Sequence, residues 1–279
     1  MRARPGLLTI LLLVMGGRAS AAEALVPWSQ LELRPARAEA PPIGPDRIAA
    51  GPAGQVALWN PASGWLDLYE SVGAFADGEP SASLRLRAVD EVLWTDAGVV
   101  VLDAGARAVA LYDAGGQRVD AARLPDLTPP DCGLSARGAA LYATDAFGNR
   151  HGLATLSRAG FKPWTGPRVS PPEVEVRWRA ADGVMVVDGV ELALPPALKS
   201  GGRALTGGGH TWLIVDQVVS DAPLAVSRVA ISLGSGARVA LPSGGRLYAP
   251  SSDLSVNGRG QLVWLSPTAD GLRLGEVSP

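Results

Sequence analysis

The sequence predicts an all-β fold built as a ring of repeated antiparallel modules, and three observations lead there. An apolar run closed by a small polar residue returns six times: Val56–Asn60, Val99–Asp103, Leu141–Asp145, Val184–Asp188, Trp212–Asp216 and Leu262–Ser266. A glycine stands five to seven residues before each closing residue, at Gly54, Gly98, Gly138, Gly183, Gly209 and Gly260. The composition, with 34 Gly, 23 Pro and 19% charged residues in 279, breaks almost every window long enough for a helix. The closing residues are spaced by 43, 42, 43, 28 and 50 positions. Repeats near 40 residues made of short strands signal a radial or stacked β architecture, and six of them are read as a six-bladed β-propeller. The uneven last two steps keep a ring of five or seven blades as the rival.

Each module parses into strands in the same order. In the first, 47–49, 56–59, 65–69 and 83–87 are strands. The second is the clearest. Glu91–Trp94 is a first strand, and Val99–Leu102 is apolar throughout, as a strand covered on both faces must be. Ala108–Tyr112 follows, then the Asp113-Ala-Gly-Gly116 hairpin signal and a charged outer strand over 118–124. The third has 133–135, 140–143 and 153–156, with a Pro-rich exit from Phe161 to Pro172. The fourth has 174–178, 184–187 and 190–194, with no clear outer strand. The fifth has 204–205, 212–215, 227–231 and 238–241, leaving a long loop from Asp216 to Ser227. The sixth has 254–256, 262–265 and 272–274 and then runs out of chain.

The amino end supplies what the sixth module lacks. Residues 1–21 read as an export signal, with basic Arg2 and Arg4, an apolar stretch from Leu7 to Met15, and Ala19-Ser20-Ala21 as the cleavage site. Ala22-Glu23-Ala24 is a second choice. The apolar stretch is too short to span a bilayer, and no later segment could. Residues 22–279 then form one propeller domain, with Gln30–Arg34 as the outer strand of the last blade. The expected location is periplasmic or secreted. Cys132 has no second cysteine to pair with and is expected to be buried. Losing Arg2, Arg4 and Arg18 with the leader takes the net charge from −2 to −5, and an acidic, unclustered surface argues against nucleic acid.

In the second module, Gly98-Val-Val-Val-Leu-Asp103-Ala-Gly-Ala-Arg107-Ala-Val-Ala-Leu-Tyr-Asp113 resembles the NHL repeat of six-bladed propellers. The segment from Asp145 to Arg150 echoes it. The second module lacks the usual turn Asn, and modules four to six keep only the strand and its closing residue. The resemblance implies a scaffold used mostly for binding proteins, nucleic acids or carbohydrates, with a minority of enzymes.

The closing residues, one per module, suit Asx turns better than a ring of metal ligands. With His151 and His210 the only histidines, a three-His zinc site cannot be built. Six-bladed lactonase-like hydrolases carry calcium near the axis, so Glu91, Glu173, Asn257, Asp90 and Asp131 are axial candidates for a calcium-dependent hydrolase or lyase. Trp94 and Trp178, at matching first-strand positions, are the candidates for a carbohydrate wall, against the plainer role of packing between blades. Two longer loops on one face, carrying Phe147, Asn149, Arg150 and His151 and then Gln217 and Asp221, are the expected contact surface. No nucleophile elbow, P-loop or dinucleotide fingerprint is present, so no catalytic residue and no cofactor is assigned, with calcium left open. The sequence therefore reads as a non-catalytic propeller that binds or scaffolds another exported or cell-envelope protein.

Overall fold

A computed structural model describes residues 21–31, 42–126, 128, 132–145, 148–179, 184–193, 199–221, 224–242 and 250–279. Strand β1, Ala21–Pro27, comes first and belongs to the last sheet. The first sheet is β2 (Arg47–Ala50), β3 (Val56–Asn60), β4 (Trp65–Tyr69) and β5 (Ala82–Arg85), with helix α1 (Val72–Ala76) inserted between its last two strands. The second is β6 (Glu91–Thr95), β7 (Gly98–Asp103), β8 (Ala108–Tyr112) and β9 (Arg118–Arg123). The third holds β10 (Gly133–Arg137), β11 (Ala140–Thr144), β12 (Arg150–Ser157), β13 (Gly160–Pro163) and the short β14 (Val169–Ser170). The fourth has β15 (Val176–Arg179), β16 (Val184–Val187) and β17 (Val190–Ala193). The fifth has β18 (Lys199–Gly207), β19 (His210–Asp221), β20 (Leu224–Ser232) and β21 (Arg238–Leu241). The last has β22 (Leu254–Val256), β23 (Leu262–Pro267) and β24 (Gly271–Val277), with β1 on its edge.

The protein is all-β, and its strands pair antiparallel in chain order, the meander of propeller blades. The core lies between sheets. Val56 and Leu58 of β3 pack toward the last sheet, against Val26, Val263 and Leu274, while Ala57 and Trp59 pack toward the second, against Val92 and Val99. Likewise Val99 and Val101 of β7 face the first sheet, and Val100 and Leu102 face the third. Strand β19 does the same, with Leu213 and Val215 toward the fourth sheet and Trp212 and Ile214 toward the sixth. Strands β3, β7 and β19 are thus covered on both faces, which is why Val56–Trp59, Val99–Leu102 and Trp212–Val215 are apolar throughout. The recurrent glycine before it turns the chain from first to second strand. At Gly98 the backbone sits at φ +137°, and a Cβ would stand 2.1 Å from the Tyr112 carbonyl oxygen.

Two expected strands differ. The edge of the last sheet is Ala21–Pro27, not Gln30–Arg34, in register from Ala21↔Val277 to Pro27↔Gly271. Ala24 and Val26 turn inward at 6% and 1% exposure, while Leu25 stays out at 46%. Gln30 lies instead in a short 3-10 turn, Trp28–Gln30, pinned where Trp28 Nε1 donates to the Thr268 carbonyl at 3.0 Å, and residues 32–34 fall outside the described residues. The apparent loop from Asp216 to Ser227 is also strand: β19 and β20 continue as a ladder to Asp221↔Leu224. Cys132 is buried, as expected. Among the described residues no helix is long and apolar enough to cross a membrane.

Candidate functional site at the strand-entry face

Because first and second strands are antiparallel, the starts of β2, β6, β10, β18 and β22 share one face with the ends of β3, β7, β11 and β19. The closing residues lie here. Asn60 Oδ1 accepts from Ala62 N at 3.0 Å, Asp103 Oδ1 from Ala106 N at 2.8 Å, and Asp145 Oδ1 from Asn149 N at 2.9 Å, which are turn-capping bonds. Asp188 reaches sideways, accepting from Glu175 N at 2.7 Å. Asp216 has no turn to cap because its strand runs on, and it binds Arg228 instead.

An ionic network joins the fifth sheet to the sixth on this face. The Arg228 guanidinium donates through Nε and Nη2 to the two oxygens of Asp216, at 2.5 and 3.3 Å, and through Nη1 to Asp253 Oδ2 at 2.5 Å. Arg203 Nη2 reaches Asp253 Oδ1 at 3.4 Å. Burial opposes the Arg228 charge, but Asp216 and Asp253 outweigh it and hold its pKa above the ordinary value. Beside it, Asp46 accepts from Ser251 N and Oγ at 2.8 and 3.0 Å, and the Ile48 amide donates to the Ser252 carbonyl at 3.0 Å, tying the first sheet to the chain entering β22. Arg47 Nη1 lies 4.0 Å from Glu91 Oε2, and burial still pushes the Glu91 carboxyl above the usual carboxylate range.

The third sheet contributes a separate corner. Asp145 Oδ2 accepts from Asn149 Nδ2 at 3.0 Å and meets His151 Nε2 at 3.2 Å. Arg150 pairs with Glu173 at 3.3 Å and lies 5.3 Å from the centre of the Tyr142 ring. So Asn149, Arg150 and His151 are gathered, but Arg150 and His151 stand at the start of β12 and not on the longer loop expected for them, while Phe147 lies outside the described residues. Gln217 does not join them on an open loop: it is buried within β19, at 5% exposure. Asp221 ends β19, with its side chain outside the described residues.

The axial candidates do not converge. Glu91 faces Arg47, whereas Glu173 is taken by Arg150 in the third-sheet corner. Asp90 caps the amide of Ala104 at 2.7 Å, and Asp131 is outside the described residues. Asn257 sits at the opposite end of its strand, in the turn after β22, where Oδ1 accepts from Arg259 N and Gln261 N at 2.9 and 3.0 Å. Trp94 is buried between the first and second sheets. Trp178 lies in β15, and its side chain is outside the described residues. His210 follows a plain turn, and its ring covers Gly260. Among the described residues no three His, Cys, Asp or Glu side chains gather as a metal site.

The sequence reading missed Arg47, Arg203, Arg228 and Asp253. A signal for part of this was present: Asp46, Asp90 and Asp253 each stand immediately before a first strand.

No family model matches the chain, and no curated protein does. Solved structures of similar shape include a catalytically inactive virginiamycin B lyase from Staphylococcus aureus with quinupristin, at TM-score 0.48 and 10% identity over 93% of this chain and 100% of that one. The WD40 repeats of RRP9 follow at 0.46 and 9%, over 92% and 100%. BamB from Moraxella catarrhalis is similar at 0.33 and 12%, over 91% and 96%. Likeness of this depth assigns no activity.

Proposed function

We propose that the chain is an exported six-bladed β-propeller, sealed by Ala21–Pro27, that binds another protein of the periplasm or extracellular space as a non-catalytic module. One observation carries the reading. The fifth-sheet hairpin runs past Asp216 to Asp221 and returns from Leu224, beyond the level at which β3, β7 and β11 turn back, on the same face as the Asp145–His151 corner. A raised ladder beside a polar corner gives a repeat scaffold a single distinctive face. The neighbouring carboxylates support binding over chemistry, since Asp46, Asp90, Asp216 and Asp253 are each held by an arginine, a hydroxyl or a backbone amide.

The test replaces residues 219–225 by an Asn-Gly turn, which leaves the buried Gln217 and the Val218↔Val226 pair in place, and compares cross-linked partners captured in the exporting cell. The shortened protein is expected to keep its melting profile and lose the partner that the full chain captures. Undiminished capture by the shortened protein overturns the reading.

A further inference from the structure

We infer that the cleft between β4, α1 and the amino-terminal strand binds a small organic cation, an alkyl- or quaternary-ammonium group. Among the described residues the first sheet alone carries a helix between its third and fourth strands, and that insertion meets β1 across the seam with the last sheet. A cleft of about 340 Å³ opens between them, the size of a small-molecule site. It lies apart from the axial network and from the third-sheet corner.

The cleft's inner wall is one face of β4. Trp65, Asp67 and Tyr69 alternate toward it, while Leu66 and Leu68 turn into the core against the second sheet. Tyr69 packs edge-on against Phe75 of α1, with ring centroids 5.3 Å apart, and so forms a rigid floor. Val26, Gln30 and Leu31 stand opposite. Asp67 sits in the middle with its Oδ1 held at 2.6 Å by the Ser83 hydroxyl. Among the described residues its second oxygen has no hydrogen-bond partner, and no Arg, Lys or His pairs with the carboxylate.

A partly buried carboxylate between aromatic rings, with no Arg, Lys or His paired to it among the described residues, is costly to keep ionised. An ammonium group would relieve it, pairing with the carboxylate while lying against the negative face of the rings. Trp65 already takes a cation on one side, with the Arg85 guanidinium 5.6 Å from its centroid. The surrounding chain is acidic on balance: from Gly64 to Arg85 it carries Asp67, Glu70, Asp77 and Glu79 against one base, Arg85. That local field draws cations toward the cleft. A neutral sugar would use the rings and hydroxyls but would leave the charge unanswered.

The test is calorimetric titration of residues 22–279 with choline, with n-butylammonium as the head group of a lysine side chain, and with 3,3-dimethylbutan-1-ol, which has the shape of choline without its charge. At least one of the two cations is expected to bind about tenfold or more tightly than the alcohol, and Asp67→Asn is expected to lose that advantage. Butylammonium binding with choline excluded would assign the cleft to a lysine side chain, and choline binding to a free quaternary amine. Circular dichroism shows whether Asp67→Asn keeps its fold, and Trp65→Leu removes the ring while leaving the charge. Equal binding of the alcohol, undiminished cation binding by Asp67→Asn, or no heat with either cation at about 10 mM would overturn the inference. None of these outcomes bears on the fifth-sheet hairpin, which is tested separately.

Discussion

Arg228 of β20 and Asp253 at the threshold of β22 are joined at 2.5 Å, with the carboxylate only 6% exposed. The pair crosses from the fifth sheet to the sixth. Once Arg228 is gone, Asp253 is a buried charge that has lost its 2.5 Å partner, with Arg203 3.4 Å away. Arg228→Ala is therefore expected to lower unfolding stability by about 3 kcal/mol in urea titrations. The double replacement Arg228→Met with Asp253→Leu should cost less than the single one, because no charge is stranded. A double variant as unstable as the single would show that packing, not charge, governs this joint.

Asp67 makes stability depend on pH in an unusual direction. Burial holds its folded pKa above the ordinary 3.8, so the folded chain binds this proton more tightly than the unfolded one. Its contribution to stability is best below 3.8, falls as pH rises through the raised folded value, and remains reduced at neutral pH. Asp67→Asn should melt higher than the parent at pH 7, and the difference should shrink as pH falls through the raised folded value toward 3.8. The same variant is the one expected to lose the cation, a site that trades stability for binding. An unchanged melting temperature at pH 7 would show that the carboxylate is effectively solvated.

Strand β1 discriminates between the two cleavage positions. Cutting after Ala21 leaves the edge strand almost whole, whereas cutting after Ala24 removes the buried Ala24 side chain and the Glu23–Arg273 pair. Mass spectrometry of the exported protein should find Ala22 at its amino end. A recombinant chain starting at Leu25 should be less stable by roughly 1–3 kcal/mol, since it loses backbone bonds to β24 as well. A mature form starting at Leu25 with full stability would remove β1 from the seam.

Asn257 gives a direct contrast between a turn and a ligand. Its Oδ1 satisfies two backbone amides at 1% residue exposure. Asn257→Ala should cost about 1–3 kcal/mol in calcium and in chelator alike, and Asn257→Asp, which keeps the acceptor, should cost less. A loss seen only with calcium present would restore Asn257 as a ligand.

The strand order was legible because burial on both faces leaves a plain mark. Val99–Leu102 and Trp212–Val215 are unbroken apolar runs, and each serves two interfaces. The turn roles of Asn60, Asp103 and Asp145 were legible for the same reason, being local to the chain. The edge strand was misplaced because Ala21–Pro27 adjoins the segment read as a leader, and its composition of small residues reads equally as a processing signal. The extension of β19 was missed because Gln217 reads as loop, yet β20 buries it. The ionic network was illegible for a different reason: Arg228 and Asp253 are 25 positions apart, and nothing within either segment signals that their sheets bring them together. The cleft is likewise assembled from the amino end and the first sheet, and only Trp65, Asp67 and Tyr69 share a local pattern.

Trp28 reaches Thr268 across 240 positions of chain, and β1 meets β24 over the same span. A polypeptide emerging amino end first must hold β1 exposed until nearly everything else has been made. Closure is then a late and slow event, limited by a long loop rather than by local propensity. During that interval β1 and the uncovered edge of β23 can pair with the wrong neighbour, so assembly of this protein is most vulnerable to aggregation until β24 has been made and joined to both.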